Sequence, residues 1–162
     1  MYQIIYSKNN NPPDVLAFIK TIEKSGVFFN AASEICVTRA PGRLDVMGGI
    51  ADYSGSLTLE MPIAEAAFCA LQKQAARIIN IVSLNAEENQ RISHCSIALD
   101  DFEKDGKPIE YAEAFKLFRR DEKQSWAAYI AGAFLVLKRE KGVNFANGAR
   151  VLIDSKVPEG NA

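Results

Sequence analysis

The segment Arg39–Gly55 constrains the fold of this chain more than any other stretch. It follows an apolar, β-branched run, Ile35 to Thr38, which predicts a buried strand. The segment holds one proline, four glycines and two aspartates, a composition that excludes a regular helix. Pro41-Gly42 is predicted to end the strand, and Gly48-Gly49 to adopt backbone conformations closed to other residues.

The polar residues of this segment suggest a binding site for a small polar ligand. Glycines lack side chains, so a ligand can approach the backbone there. Arg43, Asp45 and Asp52 are candidates to point into that space, because a guanidinium and carboxylates suit a polyhydroxylated substrate on which charge develops. The alternative is a solvated loop in which Arg43 and Asp45 are surface charges, as most single exposed charges are.

Several residues of the segment resemble the first motif of the galactokinase branch of the GHMP small-molecule kinases. The matching positions are Ala40-Pro41-Gly42-Arg43, Gly48, Asp52-Tyr53 and Gly55. The alternating residues Leu57, Leu59, Met61 and Ile63 fit the strand that follows this motif in the family. So many matches within about two dozen residues are more specific than an isolated glycine-rich motif.

The chain departs from most galactokinases at one pair of positions. Gly49-Ile50 stands where that branch usually has a Glu-His pair that contacts sugar hydroxyls. This variant is most similar to the L-arabinokinase type within the branch. The resemblance therefore implies a sugar kinase, with L-arabinose favoured over galactose as substrate.

The resemblance implies roles for individual residues of the motif. Arg43 is expected to be catalytic and to lie beside the reacting sugar hydroxyl. Asp52 is expected to accept hydrogen bonds from sugar hydroxyls, and Tyr53 to contact the sugar. Gly49 is included among the substrate-binding residues, and Asp45 is expected to stabilise the turn first and to bind sugar second. No residue is assigned to a metal.

The end of the chain resembles the opening of a second motif of the same family. Val157-Pro158-Glu159-Gly160 matches the start of the loop that wraps the phosphates of ATP, so Pro158 and Gly160 are expected to begin the nucleotide site. The serines of that loop and the catalytic Asp of the family are expected downstream. The resemblance thus implies an N-terminal fragment of a kinase that uses ATP and Mg²⁺, and the fragment alone is expected to be inactive.

The expected fold is α+β and similar to the N-terminal GHMP kinase domain, which is ribosomal protein S5 domain 2-like. It has a mixed β-sheet with helices packed on one face. Residues 1–33 are predicted to form an N-terminal extension with one helix, and residues 34–160 a partial N-terminal kinase domain. The C-terminal domain is expected to be absent.

Hydrophobic periodicity gives the individual elements. Helices are predicted from Val15 to Ile22, ending at Ser25-Gly26, over residues 112–118, and from Trp126 to Arg139, ending at Gly142. Strands are predicted over residues 78–84, 92–97 and 149–153. The run Ala66–Gln72 fits a strand or a short helix equally well.

Composition narrows the possible functions. The formal net charge of −1 gives no reason to expect nucleic acid or an anionic membrane as partner, and no apolar run is long enough to span a bilayer. Cys36, Cys69 and Cys95 are expected to be buried, reduced thiols, which makes the cytoplasm the expected location. The lone His94 is predicted to lie on the sheet surface.

The alternatives left open are another sugar or polyol kinase, a non-catalytic homologue that senses sugar and ATP, and a small interaction domain. The oligomeric state is left open too.

Overall fold

The computed structural model describes residues 3–5, 7, 12–49, 53–85 and 93–158. Its centre is a five-stranded mixed sheet whose strands lie in the order β1-β2-β7-β3-β4. The strands of this sheet are β1 (Cys36–Met47), β2 (Leu59–Gln74), β3 (Ile78–Ser83), β4 (His94–Ala98) and β7 (Gly148–Ser155). Two short strands, β5 (Glu103–Lys104) and β6 (Lys107–Pro108), form a separate hairpin.

The sheet is mixed because one of its strand pairs is parallel. β3 runs parallel to β7, whereas β1 with β2, β2 with β7, and β3 with β4 are antiparallel. β1 and β4 are therefore the two edges of the sheet. This mixed sheet is the one expected from the sequence.

Two helices cover one face of the sheet. They are α2 (Tyr111–Phe118) and α3 (Ala128–Lys141), and α3 is preceded by a 3₁₀ segment, Glu122–Ala127. Ala131 and Leu135 of α3 pack in one cluster with Ile79, Ile81 and Val151 of the sheet. The helices of the predicted kinase domain thus lie on one face.

The N-terminal helix α1 (Pro13–Lys24) covers part of the opposite face. Phe18 and Ile22 lie one turn apart and are both 2% exposed, and the Phe18 ring stacks on Phe68 of β2 with centroids 5.3 Å apart. Phe68 and Leu152 alternate with the residues that face α3, so the sheet separates the two apolar clusters. The helix predicted in the N-terminal extension therefore packs on the sheet.

Two details of the first strand differ from expectation. Pro41-Gly42 does not end β1, which continues to Met47 with register shifts after Pro41 and after Asp45. Proline is tolerated there because β1 is an edge strand, so the missing N–H costs no bond to a second neighbour. Gly48 and Gly49 do not have positive φ angles, so their backbone conformations are open to other residues.

The run Ile35 to Thr38 is not a buried strand, because it leads into the edge strand β1 and none of its residues is buried. Cys95 is buried as predicted, whereas Cys36 is exposed on that edge strand and Cys69 is only partly buried.

Several other sequence predictions are confirmed or resolved. Ala66–Gln72 is strand, and the helix through Arg139 ends at Gly142, whose φ of 64° is left-handed. Trp126, predicted in that helix, lies in the 3₁₀ segment before it. His94 is exposed on β4. Among the described residues, no helix is long and apolar enough to span a bilayer.

Candidate functional site

The antiparallel ribbon of β1 and β2 carries the first motif. Gly42 is buried, and a Cβ atom there would lie 2.9 Å from Cδ1 of Ile63 and 3.1 Å from Cγ1 of Val157. Glycine therefore lets three segments meet: β1, β2 and the chain that leaves β7. This contact places the residue before Arg43 against the residue before Pro158. The structure thus brings the two sequence motifs together.

The chain that leaves β7 is held by hydrogen bonds on both sides. The Lys156 backbone N–H donates to the Ala66 carbonyl at 2.9 Å, which extends the pairing with β2. The Ser155 N–H donates to Oδ1 of Asn85 at 2.9 Å, and the Val157 N–H donates to Oγ of Ser155 at 3.3 Å. Pro158 therefore follows a fixed backbone, whereas Gly160 lies outside the described residues.

One face of the β1–β2 ribbon is charged. Arg43 is opposite Pro62 and Asp45 is opposite Glu60, so register places these four residues on one face. Nη1 of Arg43 lies 2.6 Å from Oε1 of Glu60 in an ion pair between exposed side chains. The alternating residues Leu44 and Met61 are opposite each other and occupy the other face.

Asp45 organises the turn after β1. Its Oδ2 accepts the Gly49 backbone N–H at 3.0 Å. A Cβ atom at Gly48 would overlap with the Asp45 carboxylate, whereas one at Gly49 would meet nothing within 4 Å. Gly48 is therefore needed for space, and Gly49 supplies a backbone donor. The turn-stabilising role expected of Asp45 agrees with this contact.

Of the remaining candidates of the first motif, Tyr53 and Gly55 lie among the described residues. Tyr53 is 94% exposed, and Gly55, with φ of 70°, follows it in the turn that leads to β2. Asp52 and Ile50 lie outside the described residues. The described candidates that share the ribbon and its turn are thus Arg43, Asp45 and Gly49.

A second charged pair lies beside the motifs. Asp154 is 7% exposed, and its Oδ1 lies 3.0 Å from Nζ of Lys156. Burial of a carboxylate next to apolar Phe68, its register partner on β2, is tolerated because the ammonium is so close. The pair supplies a cation near Pro158, at the start of the predicted phosphate loop.

The described residues do not form a metal site of their own. In those parts of the chain, no group of three or more histidine, cysteine or acidic side chains is arranged to hold an ion. A Mg²⁺ ion needs about six oxygen ligands, many of which ATP phosphates and water can supply. The oxygen ligands that the described residues offer do not fit a resident Mg²⁺ ion, so no chemical step is assigned to such an ion.

A cavity at the other edge of the sheet is separate from the motifs. Its volume is about 200 Å³, and its lining includes Cys95 of β4, Asp101, Phe118 and Arg120. None of the residues predicted from the motifs lines it. The cavity therefore does not enlarge the candidate site.

Glu60 is the site residue that the sequence reasoning missed. It stands in an alternating run that predicts a strand, and nothing in its neighbourhood marks it as a partner for Arg43. The signal lies in the hairpin register, which pairs Asp45 with Glu60 only once the turn and the bulges are known.

Comparisons with known proteins agree with these motifs. Residues 27–73 match the family model described as the galactokinase galactose-binding signature. L-arabinokinase from Arabidopsis thaliana is 43% identical over 163 residues, covering 88% of this chain and 16% of the relative. Galactokinase from Clostridium perfringens is 26% identical over 121 residues, covering 75% of this chain and 26% of that relative. The chain thus spans only 16% and 26% of the lengths of these two curated relatives.

A solved structure shares the fold. The galactokinase of Lactococcus lactis, crystallised with galactose, matches with a TM-score of 0.63 over 88% of this chain and 32% of its own. Its sequence identity is 20%, so this likeness bears on the fold alone. Together, the signature and the similarity to L-arabinokinase support a galactokinase-like kinase assignment for this chain, whose fold matches that of a galactokinase.

Proposed function

We propose that this chain is the N-terminal part of an ATP-dependent sugar kinase that phosphorylates the anomeric hydroxyl of L-arabinose or galactose. One observation carries the proposal: Gly42, beside Arg43, packs against Val157, beside Pro158. A sugar held by the first motif would then lie next to ATP phosphates held by the loop after Pro158. Such proximity of acceptor and donor is the main requirement of phosphoryl transfer.

The proposed chemistry transfers the γ-phosphoryl group of ATP to the sugar. The anomeric oxygen forms a bond to the γ-phosphorus, the bond from that phosphorus to the bridging oxygen breaks, and ADP leaves. The hydroxyl proton passes to a base that the described residues do not supply. Arg43 would lie beside the sugar oxygen, where its positive charge favours proton loss and stabilises the charge that develops during transfer.

Asp45 and Gly49 would shape the sugar side of the site. The Asp45 carboxylate fixes the turn through the Gly49 N–H, which leaves its remaining lone pairs available to sugar hydroxyls. Asp52 and Tyr53 complete the proposed sugar-binding set. Pro158 and Gly160 would open the phosphate loop, with Mg²⁺ arriving as the ATP complex.

Product analysis of the complete protein tests this proposal. The protein is incubated with ATP and either sugar, and ³¹P and ¹³C NMR identify the product. A sugar 1-phosphate with matching ADP release is expected. Binding of sugar and ATP without turnover would replace the proposal with a non-catalytic sensor, and phosphate on another hydroxyl would exclude a 1-kinase.

The proposed substrate preference is L-arabinose over D-galactose. The two sugars share the configuration of their ring hydroxyls, and galactose adds a hydroxymethyl group. Identity to L-arabinokinase is 43%, against 26% to the Clostridium galactokinase, which supports this order. If Ile50 replaces hydrogen-bonding groups near the sugar, an unpaired hydroxymethyl lowers kcat/KM for galactose by about 10- to 100-fold. Equal kcat/KM for both sugars would show that this position does not set the preference.

The 162 residues alone are proposed to be inactive. Without the loop that cradles the phosphates, positioning and charge stabilisation are both lost. A coupled assay of the isolated chain with both sugars is expected to give no ADP above the protein-free control. Sugar-dependent turnover that follows the purified chain through a second column would contradict this.

A further inference from the structure

We propose that Glu60 is a positioning residue for Arg43 in the sugar kinase reaction, an inference that rests on the proposed function. The carboxylate of Glu60 holds the guanidinium on the charged face of the β1–β2 ribbon. It acts through Arg43 and is not itself a catalytic residue.

The geometry of the ribbon makes Glu60 the natural partner. Pro62, directly opposite Arg43, has no side-chain acceptor, whereas the next residue on the same face of β2 is Glu60. Glu60 lies diagonally across the strand pair, and diagonal neighbours are within reach of long side chains. Nη1 of Arg43 accordingly lies 2.6 Å from Oε1 of Glu60.

Stability alone does not account for this arrangement. The side chains of Arg43 and Glu60 are 64% and 34% exposed, and ion pairs between exposed groups contribute little to folding. Glu60 also stands directly opposite Asp45, and like charges at such a pair of positions are unfavourable. The positive charge of Arg43 offsets the repulsion between the Asp45 and Glu60 carboxylates, so the energies of the three groups depend on one another.

Positioning follows from the way one contact constrains a long side chain. A free arginine on a strand samples many rotamers, and each must be restricted before the guanidinium can serve a reaction. The contact at Nη1 selects the Arg43 rotamers in which the guanidinium lies over β2. The remaining N–H groups of the guanidinium stay available as donors. Gly42 fixes the backbone beneath it against Val157.

A double-mutant cycle in the complete kinase tests the proposal. The variants are Glu60→Ala, Glu60→Gln, Arg43→Ala and the double variant Arg43→Ala/Glu60→Ala, with kcat and KM measured for sugar and ATP. Glu60→Ala is expected to lower kcat about 10-fold with KM changed less than about twofold, as for a misplaced catalytic group. Glu60→Gln keeps an oxygen acceptor and is expected to restore part of that loss.

The cycle separates positioning from a structural role. In the Arg43→Ala background, Glu60→Ala is expected to change kcat less than about twofold, because its effect passes through Arg43. Asp14→Ala is the matched control, since it removes the acceptor of the other arginine–carboxylate pair on β1, between Arg39 and Asp14 at 2.7 Å. That control is expected to leave kcat unchanged.

Two results would overturn the inference while leaving the proposed function intact. One is an unchanged kcat in Glu60→Ala alongside a large loss in Arg43→Ala. The other is an additive double variant, which would mean that Glu60 acts independently of Arg43. Unchanged activity in Arg43→Ala would instead contradict the proposed role of Arg43. Circular dichroism of each variant excludes misfolding, and Glu60→Gln supplies the comparison if Glu60→Ala does not fold.

Discussion

Asp45 accepts the Gly49 backbone N–H at 3.0 Å, and a side chain on Gly48 would overlap with its carboxylate. The residues of this turn therefore depend on one another. The carboxylate needs the glycine beside it for space, and the turn needs the carboxylate as an acceptor. Neither requirement depends on a bound ligand.

Removal of the Asp45 acceptor is expected to expose the Gly49 amide. A charge-assisted hydrogen bond contributes about 1.5–3 kcal/mol, so Asp45→Ala is expected to accelerate hydrogen exchange at Gly49 by about 10-fold or more. Asp45→Asn retains an oxygen acceptor and is expected to fall between wild type and Asp45→Ala. The measurement is amide exchange by NMR, and an unchanged exchange rate at Gly49 in Asp45→Ala would contradict the contact.

Sequence reasoning found part of the site at this scale. Arg43 and Asp45 stand out because they belong to the glycine-containing segment that resembles the family motif. Glu60 does not stand out, since its role depends on which residue of β1 lies opposite it. That pairing is set by the register shifts after Pro41 and Asp45, which no local pattern reveals.

Among the secondary-structure elements, replacing two glycines by alanine is expected to have opposite effects on stability. A Cβ atom on Gly148, at the start of β7, would collide with the backbone carbonyls of Ala76 and Ile78. A Cβ atom on Gly132, inside α3, would meet nothing within 4 Å. The same substitution should therefore destabilise one element and stabilise the other.

Chemical denaturation checks this pair of variants. Gly148→Ala is expected to lower the free energy of unfolding by about 2 kcal/mol or more, since backbone atoms cannot move aside cheaply. Gly132→Ala is expected to raise it by about 0.5–1 kcal/mol, the difference between alanine and glycine in a helix interior. A stabilising Gly148→Ala would show that β7 does not begin against residues 76–78.

The docking of α1 is expected to depend on pH. Arg39 donates a hydrogen bond from Nε to the Asp14 carboxylate at 2.7 Å, and this bond lowers the pKa of Asp14 below its usual value. A lowered folded-state pKa means that the pair stabilises the protein fully above the ordinary aspartate pKa of about 3.9. That stabilisation is lost as pH falls through the lowered pKa.

The measurement is the unfolding midpoint of wild type and Asp14→Asn across this pH range. The difference between the two proteins is expected to be largest near neutral pH and to shrink at acidic pH, where both lack the charge. A difference that stays constant with pH would mean that the ion pair does not hold α1.

The elements themselves were largely readable from the sequence because their apolar periodicity is strong. The helix of Val15–Ile22 and the strand of residues 78–84 follow from it directly. The end of β1 was wrongly placed at Pro41-Gly42, since a proline stops a central strand but is tolerated at an edge. Whether a strand is an edge is a property of the whole sheet.

At the scale of the whole molecule, the contact between Gly42 and Val157 joins segments from opposite ends of the chain. β7 lies between β2 and β3, so the last strand is inserted into the sheet and its exit passes beside the first motif. This topology is the reason that the first motif and the start of the second motif become neighbours. Local sequence pattern cannot predict this contact, because it depends on where β7 enters the sheet.

The most decisive measurement is the effect of Arg43→Ala on kcat in the complete protein. Removing one electrostatic stabiliser of a transition state typically lowers the rate about 10²- to 10³-fold. With L-arabinose and ATP saturating, kcat is expected to fall at least about 100-fold, with KM for ATP nearly unchanged. Wild-type kcat in a folded Arg43→Ala variant would contradict this expectation and make Arg43 a surface charge.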